Sequence, residues 1–349
     1  MTNNAISATE IFSGIYQLKM PLPFRLNHIN LYLLEDVNGW YLIDTGLNTQ
    51  LSQDLWAAFL QSGFFRKPIQ KIILTHLHPD HIGMSAWLSE QLAVPVAISA
   101  GDWAMATFLW NNGDAAGEAI YQQHWRHFGL RDSQLNEMVE LRGQYRKLVK
   151  HLPKAVDIIH PHDRLFSSSG TWEFLPGAGH SPEHMALWNS EQKLLISGDH
   201  LLPSITPNIS LHPVGLRNPL ESYLQSLEEF SLLDCKHYLP AHGAVSSDFR
   251  ERINQITLHH QQKFADLMNQ LPTRFTVVDA LPCIFTADLP AHQLLFAYGE
   301  TAAHLIYLAE RGLLQRDTDD PWLFINPFQV SSAKYTVDRP TTRLHTAPC

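Results

Sequence analysis

The first third of the chain alternates between short apolar runs and one amphipathic segment. Residues 14–20, 27–35 and 40–46 are rich in β-branched and aromatic side chains and are separated by Pro, Asn or Gly, which predicts successive strands. Residues 49–63 carry apolar side chains at helical spacing and end in glycine, which predicts an amphipathic helix. A further buried strand is predicted over residues 70–75.

The middle of the chain begins with a change of pattern. From Asp102 to about His151 the spacing is helical and aromatic residues are frequent, which predicts an inserted helical segment over about 102–151. Strand-like runs then resume, and a second amphipathic helix is predicted over 219–233, with Pro219 near its start. The strands predicted for this part of the chain cover 157–160, 171–176, 184–189, 193–198 and 237–240.

After about Asp248 the chain becomes mainly helical. Three helices and a short apolar ribbon are predicted, over 249–271, 277–284, 291–314 and 321–327. Helix, helix, helix and ribbon is the order of elements in a winged-helix module. We therefore predict two domains, a first domain over 1–248 and a winged-helix-like domain over 249–349.

The composition indicates an ordinary globular protein. A chain of 349 residues is long enough for two domains, and 45% hydrophobic with 17% charged residues supports a sizeable core. No apolar run approaches the roughly 18 residues of a membrane helix, and no secretory signal is visible. The three cysteines are dispersed, which excludes a disulfide framework and a Cys-based zinc site. We therefore expect a cytoplasmic protein without membrane contact, and the net charge of −9 argues against nucleic-acid binding over the whole surface.

Three histidines and one aspartate lie within six positions of the stretch THLHPDHIG, residues 75–83. A chance cluster is the alternative to a metal site, because the chain has 20 histidines. Three more potential ligands each follow a strand-like run, and ligands at the ends of separate strands can converge above a sheet. Imidazole and carboxylate groups without thiolate suit zinc, and also iron or manganese. The seven candidates are His76, His78, Asp80, His81, His180, Asp199 and His242.

The spacing of the first cluster indicates two ions. His76 and His78 lie two positions apart on an extended loop and can reach one ion from the same side. Asp80 and His81 lie one step further along the chain and can reach a second ion.

The ordered series HxHxDH, followed by a distant His, Asp and His, resembles the metallo-β-lactamase-fold hydrolases over residues 14 to about 245. The resemblance implies an α+β fold, a four-layer αββα sandwich, with two divalent metal ions that are zinc or, alternatively, iron or manganese. It assigns the first metal to His76, His78 and His180. It assigns the second metal to Asp80, His81 and His242, with Asp199 bridging the two.

The same resemblance suggests supporting residues. Asp44, in the turn LIDTG, would orient the metal loop from behind the ligands, and His184, in GHSPEH, would lie near the site without binding metal. His200 and His212 follow Asp199 and are candidates to approach the site. Arg217 is a candidate to bind an anionic group of the substrate. The aromatic residues of the insertion either form a partly apolar pocket over the metals or only pack its helices together.

Two metal ions lower the pKa of a bridging water, which predicts hydrolysis without a protein nucleophile, with Asp80 and Asp199 shuttling the proton.

The family resemblance also excludes several branches of the family. Asp199 stands where two-zinc β-lactamases carry Cys, and His78 stands where the oxygen-reducing flavoproteins carry Glu. Only 42 residues, 200–241, separate Asp199 from the last ligand, too few for the domain that large RNA-processing members insert there.

The remaining branch contains glyoxalase II-like thioester hydrolases, lactonases and small nucleases of the β-lactamase-like protein 2 type. The leading prediction is a hydrolase of a small ester-like bond, most plausibly a thioester. The alternatives are a metal-dependent endoribonuclease, a non-catalytic binding or regulatory relative, and persulfide oxidation at a single iron.

Residues 250–349 contain nine Lys and Arg against ten Asp and Glu, so we expect the tail to pack within the chain or in a homodimer rather than to bind RNA.

Overall fold

The computed structural model describes residues 6–24, 26–111, 114–285, 289–317 and 321–329. Two sheets account for most of the strands. The seven-stranded sheet contains, in spatial order, β1 (Thr9–Phe12), β2 (Ile15–Pro21), β3 (His28–Glu35), β4 (Trp40–Ile43), β5 (Ile69–Ile73), β6 (Val96–Ser99) and β7 (Asp157–Ile159). The five-stranded sheet contains β8 (Arg164–Ser167), β9 (Gly170–Gly177), β10 (His184–Asn189), β11 (Leu194–Gly198) and β12 (His237–Pro240).

The pairing changes direction within each sheet. Strands β1 to β4 pair antiparallel, whereas β4 to β7 pair parallel. In the smaller sheet β8 to β11 are antiparallel, and β12 runs parallel to β11. Parallel neighbours end at the same edge, so the residues that follow β4 and β5 meet there, as do those that follow β11 and β12.

Strand β3 shows how the layers are stacked. Leu31 and Leu33 pack into the core that the outer helices share. Tyr32 and Leu34 belong to a second core, to which both sheets contribute. Because side chains alternate between the faces of a strand, four consecutive buried residues require that both faces be covered. The predicted α+β fold with αββα layers is confirmed.

Several helices of the first 248 residues begin with a side-chain cap. Thr49 accepts a hydrogen bond from the Ser52 N–H at the start of the first helix, and Asn218 caps the last one in the same way ahead of Pro219. The helices are α1 (Gln50–Gln61), α2 (Pro79–Ile82), α3 (Ser85–Leu92), α4 (Ala100–Trp110), α5 (Asp114–His127), α6 (Asp132–Arg146) and α7 (Pro219–Ser231). Helices α4, α5 and α6 occupy the predicted insertion.

The tail has the predicted order of helices and ribbon. It consists of α8 (Phe249–Gln270), β13 (Arg274–Phe275), α9 (Val277–Ile284), α10 (Ala291–Glu310), β14 (Gln315–Asp317), β15 (Leu323–Ile325) and a 3-10 turn at Pro327–Gln329. The three short strands form one sheet in the order β13, β15, β14. The winged-helix assignment and the division at residue 248 stay predictions.

The tail packs against the insertion and against the loop after β11. The Val278 N–H donates to the Phe128 carbonyl at 3.1 Å, and the Leu211 N–H donates to the Gly299 carbonyl at 2.9 Å. The Tyr145 and Phe296 rings are in edge contact at 5.9 Å between centroids. Within the described ranges, none of the helices combines the length and apolar character that a membrane-spanning segment requires.

Candidate metal centre

Asp44 holds the loop that carries the first ligand cluster. It lies directly after β4 and has a φ of 61°, a left-handed conformation that is uncommon for residues other than glycine. Its Oδ1 accepts a hydrogen bond from the Thr75 N–H at 2.8 Å, and its Oδ2 accepts one from the Thr75 hydroxyl at 2.8 Å. The Nδ1 of His81 lies 2.8 Å from the same Oδ2. A hydrogen on Nδ1 leaves the lone pair of His81 Nε2 available for a metal.

The three histidines of the predicted first metal lie together. His76 Nε2 and His180 Nε2 each lie 2.9 Å from His78 Nδ1. The other nitrogen of His180 is 2.8 Å from the Asn208 carbonyl, and that of His76 is 3.1 Å from the Thr75 hydroxyl. Because these oxygens accept hydrogens from the rings, the inward nitrogens carry lone pairs. Three converging lone pairs suit a cation.

The pKa values of His76 and His78 agree with neutral rings. Burial, reinforced by the charges of neighbouring rings, holds the pKa of His76 and of His78 well below its usual range. Neutral imidazole is the form that binds metals. This triad is therefore chemically suited to hold one divalent ion.

The predicted second set lies beside the first. His242 Nε2 is 3.1 Å and His81 Nε2 is 3.9 Å from Asp80 Oδ2. His81 Nε2 is buried and has no hydrogen-bond partner among the described residues. A buried unpaired nitrogen is costly unless an ion or water meets it, so the donor set fits a second ion. The structure places His78 at the start of α2 and Asp80 and His81 within its first turn.

Asp199 lies between the two sets. Its Oδ2 is 3.5 Å from His180 Nε2, and its Oδ1 is 3.5 Å from His242 Nε2. The Oδ1 atom is buried and unpaired among the described residues. One oxygen toward each set is the arrangement of a bridging carboxylate. Gly198 allows this position, because a Cβ there would lie 2.4 Å from His184 Nε2 and its φ is +51°.

The acidic ligands are ionised. Burial alone would raise the pKa of Asp199, but His242 and His81 beside it hold the pKa well below the usual range. Burial alone would lower the pKa of His242, but Asp199 and Asp80 raise it to about 9. At neutral pH His242 therefore carries a ring proton at the place that a divalent cation would take. Metal binding would release this proton.

The four remaining candidates lie at four different positions. His184 Nε2 accepts a hydrogen bond from the Asp199 N–H at 3.2 Å and so supports the bridging residue. His200 faces α7 instead, because its Nε2 lies 3.1 Å from the Ser226 hydroxyl. His212 lines a cavity next to the first ligand set, with its Nδ1 3.4 Å from the Tyr121 hydroxyl. Arg217 is exposed and is not among the residues that line this cavity.

The cavity opens beside His78 and His180 and has mainly apolar walls. The insertion and the loops after β9 and β11 contribute most of them, with a smaller part from the tail. Its apolar walls include Met105, Leu109, Tyr121, Trp125, Phe128 and Phe296. The aromatic residues of the insertion therefore do more than pack its helices together.

Sequence reasoning missed two residues that position ligands. Asp102 is buried and accepts hydrogen bonds from the Leu77 N–H at 2.9 Å and the Glu183 N–H at 2.7 Å, which joins the two loops that carry His78 and His180. The available signal was its place three residues after Ser99, which caps α4 and accepts a hydrogen bond from the Asp102 N–H. Asn208 had no such signal. Its carbonyl is the partner of His180, and its side chain donates to Glu300 of α10 at 2.7 Å.

The fold of the chain is similar to that of solved structures. The chain is similar to the crystal structure of a beta-lactamase domain protein from Burkholderia ambifaria, with 30% identity and a TM-score of 0.82 over 92% of this chain and 94% of that one. It is also similar to a metallo-beta-lactamase family protein of Thermus thermophilus, with 27% identity and a TM-score of 0.78 over 91% of this chain and all of that one.

Three curated relatives are more distant. The probable metallo-hydrolase YqjP of Bacillus subtilis is 23% identical over 83% of this chain and 91% of its own length. An atrochrysone carboxyl ACP thioesterase of Aspergillus fumigatus is 26% identical over 67% of this chain, and a linear primary-alkylsulfatase of Pseudomonas sp. is 26% identical over 64%. The alignments span 57% of the thioesterase and 43% of the alkylsulfatase.

Two family models match the chain itself. The model of the metallo-beta-lactamase-like C-terminal domain matches residues 264–326 of the tail. The model of the metallo-beta-lactamase superfamily matches residues 25–242, which include every predicted ligand. The chain belongs to the metallo-beta-lactamase superfamily, whose members are mostly metal-dependent hydrolases.

Proposed function

We propose that this chain is a dinuclear metal-dependent hydrolase of small acyl thioesters, with zinc as the first candidate metal and iron or manganese as alternatives. One observation carries the proposal. The cavity beside His78 and His180 has apolar and aromatic walls, among them Met105, Leu109 and Trp125. An acyl group bound there would have its carbonyl next to the ligands of the first metal.

The residues of the centre divide the chemical work. Two divalent ions, when bound, supply a Lewis acid for the carbonyl and a water of lowered pKa. The carboxylates of Asp80 and Asp199 are ionised, and because neighbouring histidines hold their pKa values below the usual range, they would relay the proton of this water rather than keep it. The C–S bond breaks as a C–O bond to the water oxygen forms, and the proton goes to the departing thiolate. His184 and Asp44 keep the ligands in place.

Two relatives support hydrolysis of an ester-like bond. One is named an ACP thioesterase and the other an alkylsulfatase. The first name refers to a thioester and the second to a sulfate ester. We favour the thioester because its carbonyl carbon would be open to attack by an activated water, and because one of these relatives is named a thioesterase. We further propose that the tail packs within the chain, because it is hydrogen-bonded to the insertion and to the loop after β11.

The test is elemental analysis of the purified full chain together with turnover of a simple acyl thioester and a single-stranded RNA. We expect about two metals per chain and thioester cleavage. The His78→Ala variant should lose metal and more than about a hundredfold in activity, since even partners behind metal ligands contribute 10–100-fold. The matched control is His160→Ala, at an exposed histidine outside the site.

Three results would contradict the proposal. Full thioester turnover by the metal-free chain or by His78→Ala would remove the metal mechanism. RNA cleavage without thioester turnover would replace the proposed function by the endoribonuclease alternative. Metal binding without either activity would favour the non-catalytic alternative.

A further inference from the structure

A buried arginine lies on the wall of the cavity next to the metal centre. Arg142, on α6, is 7% exposed, and its guanidinium carbon lies 4.5 Å from the centroid of the Tyr121 ring. Both residues line the cavity together with His78 and His180. Arginine stays protonated in proteins, so the apolar cavity contains a permanent cation.

This cation lacks a carboxylate partner within the part of the chain that the structure describes. No described Asp or Glu forms an ion pair with Arg142, and its buried Nε has no hydrogen-bond partner there. The charge of Glu118 acts on the guanidinium from the neighbouring helix. Stacking on the Tyr121 ring and a side-chain hydrogen bond with Tyr121 satisfy part of the guanidinium, but they leave the buried Nε–H at its edge without a partner among the described residues. The edge is therefore available for an external anion.

Arg142 also lines a second cavity, which is more open and basic. Arg142 and Arg146 line both cavities, and Lys147 and Lys150 line only the outer one. Glu118 is the single acidic residue among the described side chains that line it. Residues 141–156 contain five Lys and Arg and no Asp or Glu, although the whole chain has a net charge of −9. Such a local excess of positive charge raises the concentration of anions near Arg142.

We propose that Arg142 binds a carboxylate at the far end of the acyl group, so that the preferred substrate is the thioester of a dicarboxylic acid. This inference rests on the proposed function. The scissile carbonyl lies at the ligand set, the methylene chain lies along Met105 and Leu109, and the free carboxylate meets the guanidinium. Planar guanidinium and carboxylate groups form paired hydrogen bonds, a geometry that an ammonium group cannot reproduce.

The experiment compares two thioesters of equal chain length on the metal-loaded full chain. Both use N-acetylcysteamine as the thiol, and one acyl group ends in methyl while the other ends in carboxylate. The wild type should prefer the carboxylate-ended substrate in kcat/KM. Arg142→Met should lower the ratio of the two kcat/KM values about a hundredfold, as expected when one partner of a buried charge pair is removed. Arg142→Lys should give an intermediate ratio.

The control variant is Arg164→Met, at an exposed arginine of β8, and it should leave the ratio unchanged. Melting curves identify any variant that fails to fold, and Arg142→Lys then provides the comparison. Equal losses on both substrates, or a wild type without preference, would overturn the carboxylate site.

Calorimetric binding of a dicarboxylic acid and of the monocarboxylic acid of equal length separates the two proposals. Tighter binding of the dicarboxylate that Arg142→Met abolishes would support the carboxylate site even if no thioester were cleaved. Thioester cleavage with equal binding of both acids would uphold the hydrolase and refute the role of Arg142.

Discussion

Glu300 provides a quantitative test of how the tail is held against the metal centre. This carboxylate of α10 accepts a hydrogen bond from Asn208, whose carbonyl is the partner of His180. Burial raises the pKa of Glu300 from 4.5 to about 7, although Asn208 and then Lys263 act in the opposite direction. We expect Glu300→Gln, which resembles the protonated form, to change the pH dependence of stability.

The sign follows from the direction of the shift. Below pH 4.5 the carboxyl group is protonated in both the folded and the unfolded chain, so its contribution to stability is fully present. This contribution is lost as the pH rises from 4.5 through about 7. The full shift corresponds to about 3 kcal/mol at about 1.4 kcal/mol per pKa unit. Because Glu300 is only partly shielded from solvent, we expect about 2 kcal/mol.

The assay is urea unfolding of the metal-free chain between pH 5 and pH 8.5. We expect Glu300→Gln to exceed the wild type by about 2 kcal/mol at pH 8.5, with the difference shrinking toward pH 5. The matched control is Glu310→Gln, which removes an exposed carboxylate that also accepts from an asparagine, Asn218. A difference that does not change with pH would refute the assignment of a buried, proton-binding Glu300.

Three further perturbations test the metal centre. Removal of metal by a chelator should abolish turnover and lower the melting temperature, and readdition of zinc, iron or manganese should restore both, with the most effective ion identifying the metal. Asp44→Asn should keep the left-handed turn but weaken the hold on His81, lowering metal affinity by about 10–100-fold in a competition titration. Gly198→Ala should lower the unfolding free energy by at least about 2 kcal/mol and reduce metal content, because the added Cβ would meet His184 Nε2 at 2.4 Å. Normal stability and metal content would contradict the described path of β11.

The candidate ligands, which stay predictions, could be picked out from the sequence because each follows a recognisable strand. His180, Asp199 and His242 come within three residues of the ends of β9, β11 and β12, where apolar runs stop and small residues begin. The layers were predictable for the same reason, since strands buried on both faces have continuous apolar stretches. The short elements α2, α3 and β6 were missed, because four to eight residues hold too little periodicity to be distinguished from a loop.

Residues whose role depends on distant contacts were not predictable. Arg142 belongs to a run of positive charge that normally indicates a solvated helix end, and only tertiary packing buries it over Tyr121. Arg217 was expected near the substrate because of its loop, yet it is exposed outside the cavity wall. His200 was expected on similar grounds, but Ser226 of α7 holds it away from the ligand sets. Position along a loop does not specify which way a side chain points.

Each metal would also be a cross-link between the two sheets. His78 follows β5 of the larger sheet and His180 follows β9 of the smaller one, and they are 102 residues apart in the chain. An ion held by both closes a loop of that length, as a disulfide would. Unlike a disulfide, the ion constrains the chain only while its ligands stay together. Loss of the ions should therefore loosen one end of the sandwich first, and amide exchange should quicken at the ends of β5 and β9 before it does so in their centres.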